Sequence, residues 1–457
     1  MKKHLHPAIY FSLGFFALFE CDSFFGSVSK AVFSAEIEYL VYGVGCFAAA
    51  FGVILFFAFK RMNMPVKRIL LFTAFMCAAA VLIMAHMFQN VFIFWTSLIL
   101  FYIAEGLNAA VCAFYVYKIR EDDKNIKAGT LLAVTAAAGL ILTYAAEFLF
   151  NSLPAVRMAL LFITILAMMF FAFKKIDITG IITEHEQAAA DKIRKRGQNG
   201  RYLPVLLAVA ASIASIAYMI GVNDAAIFTA MLSDTNSAFL LPQLLYIPGL
   251  LAAGLLADVK NGRFLSIATL GCTLLTAPTA MHLTSPENFA TYSATTYFLG
   301  GFYLIYSMVS LVTIAGRGKH PSLNTSAAAL IFFLFSGVGA LTSSMYFRPD
   351  GVFSLSVFIG LTVLMLVVFY LSGSLQPISA EQQQHTVPDK KLLENYGFTN
   401  REKEVLQLLL DGHSTAGIAE KMAVTEKTVY KYISALLSKT DKPSRASMLV
   451  MFNPKDS

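Results

Sequence analysis

Charge is scarce in this chain: 14% of its 457 residues are Asp, Glu, Lys or Arg, against about 25% in ordinary soluble proteins. That shortage excludes an enzyme of ordinary water-soluble composition. Cysteine is sparse too. Cys21, Cys46, Cys77, Cys112 and Cys272 each sit inside an apolar run, with no C-x-x-C pair and no His at ligand spacing. A disulfide-built secreted module is therefore excluded, and the thiols read as packing residues. One Trp and 28 Gly leave no room for a collagen-like repeat. What is present is apolar: 57% of the chain is hydrophobic, with 40 Phe and a mean hydropathy of +0.65. This excludes disorder and indicates a polytopic membrane protein.

The apolar excess stops near Leu375, and from Gln376 onward the chain reads as a linker and a small soluble domain. At the other end, Met1, Lys2 and Lys3 precede an apolar stretch from Ala8, as in a signal peptide. No small-residue cleavage site follows, and Leu18, Phe19 and Glu20 before Cys21 do not make a lipoprotein site. The stretch reads as an uncleaved first span.

A membrane-crossing helix needs about 20 mainly apolar residues. Candidates lie near 8–28, 39–59, 69–88, 91–117, 128–150 and 155–173, then near 202–222, 238–257, 264–283, 290–314, 323–346 and 352–374. The two sets of six flank a polar connection at 174–201 that carries Lys174, Lys175, Lys192, Arg194, Lys195, Arg196 and Arg201. Lys and Arg accumulate in cytoplasmic loops. With the N-terminus inside, this loop joins Lys2, Lys3, Lys60, Arg61, Lys67, Arg68, Lys118, Arg120, Lys124, Lys127, Lys260, Arg263, Arg317 and Lys319 on one side. The other side holds Lys30, Arg157 and Arg348. Both termini are therefore expected on the cytoplasmic side of the membrane.

Six plus six spans, a basic central loop and both ends inside resemble the major facilitator superfamily of transporters. One local motif adds to the architecture: Gly254, Asp258, Lys260, Gly262 and Arg263 follow that family's loop signature. They depart from it by one inserted residue and by Val259 at an Arg position, and the loop from Lys60 to Arg68 has no Asp.

Acids inside a span are expensive, about 2.5–3.5 kcal/mol at the helix centre on insertion scales, and are usually functional. Glu20 and Asp22 fall in the outer part of span one, Glu105 mid-way along span four and Glu147 toward the outer end of span five. Asp224 and Asp234 follow span seven. Glu20, Glu105, Glu147 and Arg157 are the candidate ligand-binding residues, expected to line one cavity near Phe24, Phe101 and Tyr144. Their negative balance favours a cationic ligand. A structural pairing with Arg157, or proton coupling, remains the alternative use of these acids. His86 and His282 read as interfacial, and neither a metal nor a cofactor is expected.

The polar stretch 376–390 reads as a tether. After it, Thr399 and Glu402 form a capping box, and Val405, Leu406, Leu408 and Leu409 follow at helix spacing until Asp411 and Gly412. Ser414 caps a short helix with Ile418, Ala419 and Met422 inward. Thr425 caps a third with Val429, Ile433, Leu436 and Leu437, and Pro443 and Ser444 start a fourth. Two short helices joined by a tight turn make a helix-turn-helix. Residues 398–449 resemble the C-terminal domain of LuxR-type regulators through Phe398, Thr399, Arg401, Glu402, Glu404, Val405, Leu406, Gly412, Ser414, Ile418, Ala419, Thr425, Thr428, Val429, Lys439 and Arg445.

The resemblance implies base contact by Tyr430, Lys431 and Ser434 and phosphate contact by Ser414, Thr425, Lys427 and Thr428. It also implies pairing of heads through a fourth helix, where Met448 and Leu449 are the apolar candidates. The chain departs from the family at Thr415, Ala416, Gly417, Tyr430, Tyr432, Ala435 and Asp441. From Gln376 to Ser457, eleven Lys or Arg stand against ten Asp or Glu. With so little surplus for phosphate neutralisation, one head binds weakly and a dimer on DNA is expected.

The expected fold is all-α: a twelve-helix transmembrane bundle over 1–375, with halves 1–173 and 202–375, a linker 376–390 and a LuxR-type domain over 391–457. The function read from it is a one-component transcription regulator, not an enzyme, with promoter DNA, a small molecule and the lipid bilayer as partners. A transporter with an autoregulatory or vestigial DNA-binding tail is the alternative, and a head that binds protein instead of DNA is a third reading.

Overall fold

In a bilayer every backbone N–H and C=O must be satisfied within the segment, which apolar helices achieve. The computed structural model describes residues 2–32, 38–62, 64–84, 90–122, 127–150, 153–174, 202–233, 243–259, 262–280, 289–315, 321–343, 359–367, 396–410, 415–442, 444 and 445–452. Helices are the regular elements among them, and they divide into two units, Met1–Leu375 and Gln376–Ser457.

The first unit contains α1 (Lys2–Val32), α2 (Glu38–Arg61), α3 (Val66–Met84), α4 (Val91–Asp122), α5 (Ala128–Phe150) and α6 (Pro154–Lys174). It continues with α7 (Tyr202–Ser233), α8 (Tyr246–Asp258), α9 (Arg263–Ala280), α10 (Phe289–Ala315), α11 (Pro321–Thr342) and a helical stretch α12 at 359–367. Nine helices among the described residues are long and apolar enough to cross a membrane, and two shorter apolar helices lie at Tyr246–Asp258 and Phe264–Leu275. The expected spans near 238–257, 264–283 and 352–374 are thus described over part of their length. Large apolar side chains face outward, Phe148 at 86% and Phe92 at 75% exposure, a surface suited to lipid and not to water. The protein is a multi-pass membrane protein.

Packing repeats with an offset of six helices. The pairs α1–α5 and α2–α4 of the first half recur as α7–α11 and α8–α10 of the second, and the halves meet through α2–α11 and α5–α8. Small residues let backbones touch at these crossings. A Cβ on Gly106 would come within 1.8 Å of the Ala49 carbonyl oxygen, and one on Gly249 within 2.1 Å of the Phe298 carbonyl oxygen. The two contacts lie at equivalent helix pairs, one in each half, with the glycine on α4 in the first and on α8 in the second.

The second unit contains α13 (Asn400–Leu410), α14 (Thr415–Lys421), α15 (Glu426–Thr440) and α16 (Arg445–Met451). The capping box forms: the Thr399 N–H donates to Glu402 Oε2 at 2.7 Å, and the Glu402 N–H donates to Thr399 Oγ1 at 3.3 Å. Thr425 caps α15 by accepting from the Thr428 N–H. Val405, Leu406, Leu409, Ile418, Met422, Val429, Ile433 and Leu436 form a separate core, closed by the rings of Phe398 and Phe452. Met448 is fully buried in that core, which leaves Leu449 as the more accessible of the two residues considered for pairing.

Candidate functional sites in the two units

A cavity of about 100 Å³ lies between the two halves of the membrane unit, walled by α1, α4, α10 and α11. Phe11, Phe15, Phe332 and Phe333 make most of it apolar, and its polar residues are Glu105, Asn108 and Ser307. Glu105 and Asn108 lie one turn apart on α4, so both reach the same wall. Asn108 packs against Gly14 of α1, where a Cβ would stand 2.6 Å from its Nδ2. Glycine at that position therefore makes room for the amide. Glu105, Asn108 and Ser307 are buried, and Glu105 Oε1, Asn108 Oδ1 and Ser307 Oγ have no hydrogen-bond partner among the described residues.

The other acids lie elsewhere. Arg157 Nε of α6 donates to Glu20 Oε1 of α1 at 2.5 Å, and its Nη2 donates to Ser23 at 3.1 Å and to Glu147 of α5 at 3.4 Å. Ser23 in turn donates to Glu147. The cluster ties α1, α5 and α6 together within the first half, and Glu20 and Glu147 do not line the cavity that Glu105 lines. Asp22 accepts from Tyr102. Tyr42 of α2 donates to Asp224 of α7 at 2.8 Å and so joins the two halves. Asp234, His86 and His282 lie outside the described residues.

A second junction stands at the end of the bundle that carries the Lys- and Arg-rich loops. Asp258, at the end of α8, accepts from the backbone N–H groups of Gly129 and Thr130 at 2.8 and 2.7 Å and from the Thr130 hydroxyl at 2.7 Å. It thereby caps α5 from the other half, where a carboxylate meets the positive end of the helix dipole. The incomplete loop motif around Asp258 therefore makes a contact between the halves despite its departures.

Sequence reasoning missed Asn108, Ser307 and the Tyr42–Asp224 bond. Asn108 carried a signal, a polar residue one turn beyond Glu105 in an apolar helix. Ser307 carried none, since serine is common in membrane helices. Among the described residues no cluster of His, Cys, Asp and Glu is arranged to hold a metal ion.

In the second unit, Lys427, Tyr430, Lys431 and Ser434 occupy one face of α15 at i, i+3, i+4 and i+7, and all four are exposed. Thr425 is exposed at the helix start and Thr428 half-buried beside it, their hydroxyls 2.9 Å apart. Ser414 lies outside the described residues. The turn between α14 and α15 places Ala423 at φ 51°, and α15 ends on Asp441, also at φ 51°. Lys439 Nζ donates to Glu402 Oε2 at 2.7 Å and to the Gly397 carbonyl at 3.1 Å, holding α15 against the start of α13. Burial of the Glu402 carboxyl raises its pKa. The hydrogen bonds from Lys439 and Thr399 outweigh this and hold it below the usual carboxylate value.

Comparison with known proteins agrees with this division. Residues 397–452 match the family described as bacterial regulatory proteins, luxR family. A 58-residue stretch is 39% identical to the transcriptional regulatory protein DesR of Bacillus subtilis (strain 168), a match that covers 13% of this chain and 29% of that protein. The bacterial homologue of the iron transporter ferroportin, in its outward-facing state, superposes with a TM-score of 0.53 at 13% identity, covering 82% of this chain and all of that one. The E. coli fucose:proton symporter FucP gives 0.52 at 12% identity, over 81% of this chain and 98% of its own. The nucleoside transporter NupG gives 0.51 at 11% identity, over 82% and 100%. The chain thus joins a helical bundle with the fold of these transporters to a domain that matches the luxR family of bacterial regulatory proteins.

Proposed function

We propose that this protein is a one-component transcription regulator of a bacterial inner membrane, in which the transporter-like bundle senses a small cationic molecule and the cytoplasmic head binds promoter DNA. The observation that carries the reading is the head itself. It is a LuxR-family domain with an exposed face of Lys427, Tyr430, Lys431 and Ser434 on α15, joined in one chain to the bundle. Tyr430, Lys431 and Ser434 are assigned to base edges, and Ser414, Thr425, Lys427 and Thr428 to phosphates. The head's small positive surplus supports binding as a dimer.

Glu105 is the ligand residue best supported by its place at the cavity. Glu20, Glu147 and Arg157, assigned with it from the sequence, act in this reading by fixing α1, α5 and α6 beside it. A ligand acts only through different affinities for two states of the bundle. The Asp258 cap and the Tyr42–Asp224 bond join the halves and are suited to change between those states. The distribution of Lys and Arg supports cytoplasmic termini.

Chromatin immunoprecipitation of the tagged full-length protein, with and without candidate amines and other metabolites, tests the reading. Enrichment at discrete promoters that changes with ligand is expected. Substrate flux with no promoter enrichment would replace it with a transporter.

A further inference from the structure

Three buried polar atoms end at one cavity with no partner among the described residues: Glu105 Oε1 and Asn108 Oδ1 from α4, and the Ser307 hydroxyl from α10. Their residues are 4%, 7% and 2% exposed, so bulk water does not satisfy them. Buried polar groups are nearly always hydrogen-bonded, and an exception calls for a partner. Three that converge on one space call for the same partner. A carboxylate oxygen and an amide carbonyl oxygen accept only, and a hydroxyl can accept. Among the described residues the cavity wall contains no Lys, Arg or His. An anionic ligand would meet Glu105 with no cation to offset it.

We propose that this cavity binds a protonated primary amine on a small apolar body, its three N–H groups bonded to Glu105, Asn108 and Ser307. An ammonium has three donors and no acceptor, one donor for each unpartnered atom. Each N-methylation removes a donor, and a quaternary ammonium has none. The body packs among Phe11, Phe15, Phe332 and Phe333. Its size follows from the volume of about 100 Å³. An apolar cavity of about 150 Å³ holds benzene, so about four carbons fit in this conformation. Asn108 and Glu105 belong to one half and Ser307 to the other, and the occupant therefore bridges the halves. The assignment rests on the sensing reading above and narrows its ligand.

The test is thermal unfolding of the purified full-length protein with isobutylamine, its N,N-dimethyl and N,N,N-trimethyl derivatives, and isobutanol as the neutral control. Isobutylamine should raise Tm at concentrations where the other three do not. Glu105→Gln and Ser307→Ala should each raise its half-saturating concentration by about tenfold or more, the scale of one lost charge-assisted hydrogen bond. If Glu105→Gln does not accumulate, Asn108→Leu takes its place. A trimethyl ion as potent as the primary amine, or variants that respond like the wild type, would overturn the proposal.

A promoter reporter run with the same compounds separates the two readings. A Glu105-dependent Tm shift without a reporter response keeps the amine site and overturns the sensing role. A reporter that still needs the head, with no Tm shift from any amine, overturns the amine site and keeps the regulator.

Discussion

Asp258 accepts three hydrogen bonds at the first turn of α5, two of them from Thr130, across the junction between the halves of the bundle. Charge-assisted hydrogen bonds are worth about 1.5–3 kcal/mol each. Asp258→Ala should therefore loosen that end of the bundle. The readout is Cys112, a buried thiol on the cavity wall. In a chain whose other cysteines are replaced, its maleimide labelling should accelerate at least about tenfold with Asp258→Ala, a loss of about 1.4 kcal/mol in closure.

Arg157 neutralises Glu20, which is 0% exposed, and reaches Glu147. Removing one partner of a buried pair costs about 3–5 kcal/mol, because the other charge is left uncompensated. Arg157→Leu should sharply lower membrane abundance and Tm. Adding Glu20→Gln to Arg157→Leu should recover part of the loss, and equal Tm values for the single and double variants would refute the pairing.

The head should fold alone as the fragment 390–457, four helices by circular dichroism, because its caps and its core lie within the unit. The lowered pKa of Glu402 adds an acid-sensitive contribution to its stability. A carboxyl whose folded pKa is depressed stabilises the fold above its unfolded pKa, about 4.3 for Glu, and that contribution disappears as pH falls through the folded value. Lys439→Met should thus destabilise the fragment to urea at pH 7. The difference from wild type should shrink as the pH falls below the ordinary carboxylate range.

Ala423 occupies the left-handed region, φ 51°, where a Cβ costs about 1–2 kcal/mol. Ala423→Gly should raise the urea midpoint of the fragment, a stabilisation of about 0.5–1 kcal/mol after the entropy glycine adds to the unfolded chain is subtracted. A lower midpoint would mean that the turn has a different backbone in solution.

Tyr430 and Lys431 are exposed on α15 and absent from the core of the head. Tyr430→Ala and Lys431→Ala should each weaken operator binding by about 1–3 kcal/mol if they touch base edges, at unchanged protein abundance. Lys427→Ala, placed for a phosphate, should weaken binding to all sequences alike and reduce its salt dependence. Electrophoretic mobility shifts on cognate and scrambled DNA at two salt concentrations distinguish these effects.

The division at Gln376, the apolar spans, the capping box at Thr399, the N-cap at Thr425 and the inward stripe of α15 were legible in the sequence by itself. Each rests on residues within one or a few turns of one another, where hydropathy and hydrogen-bond chemistry act locally. Which acid meets which cation was not legible. Glu20 and Arg157 stand 137 residues apart, and several acids competed for one guanidinium until α1, α5 and α6 came together. Nor did the sequence disclose which side of α4 faces the cavity. That helix is mostly apolar, so hydropathy orients it poorly, and packing against α3 and, through Gly106, close packing against α2 does. Only that packing leaves Glu105 and Asn108 opposite Ser307 and turns polar residues from two distant parts of the chain into one site.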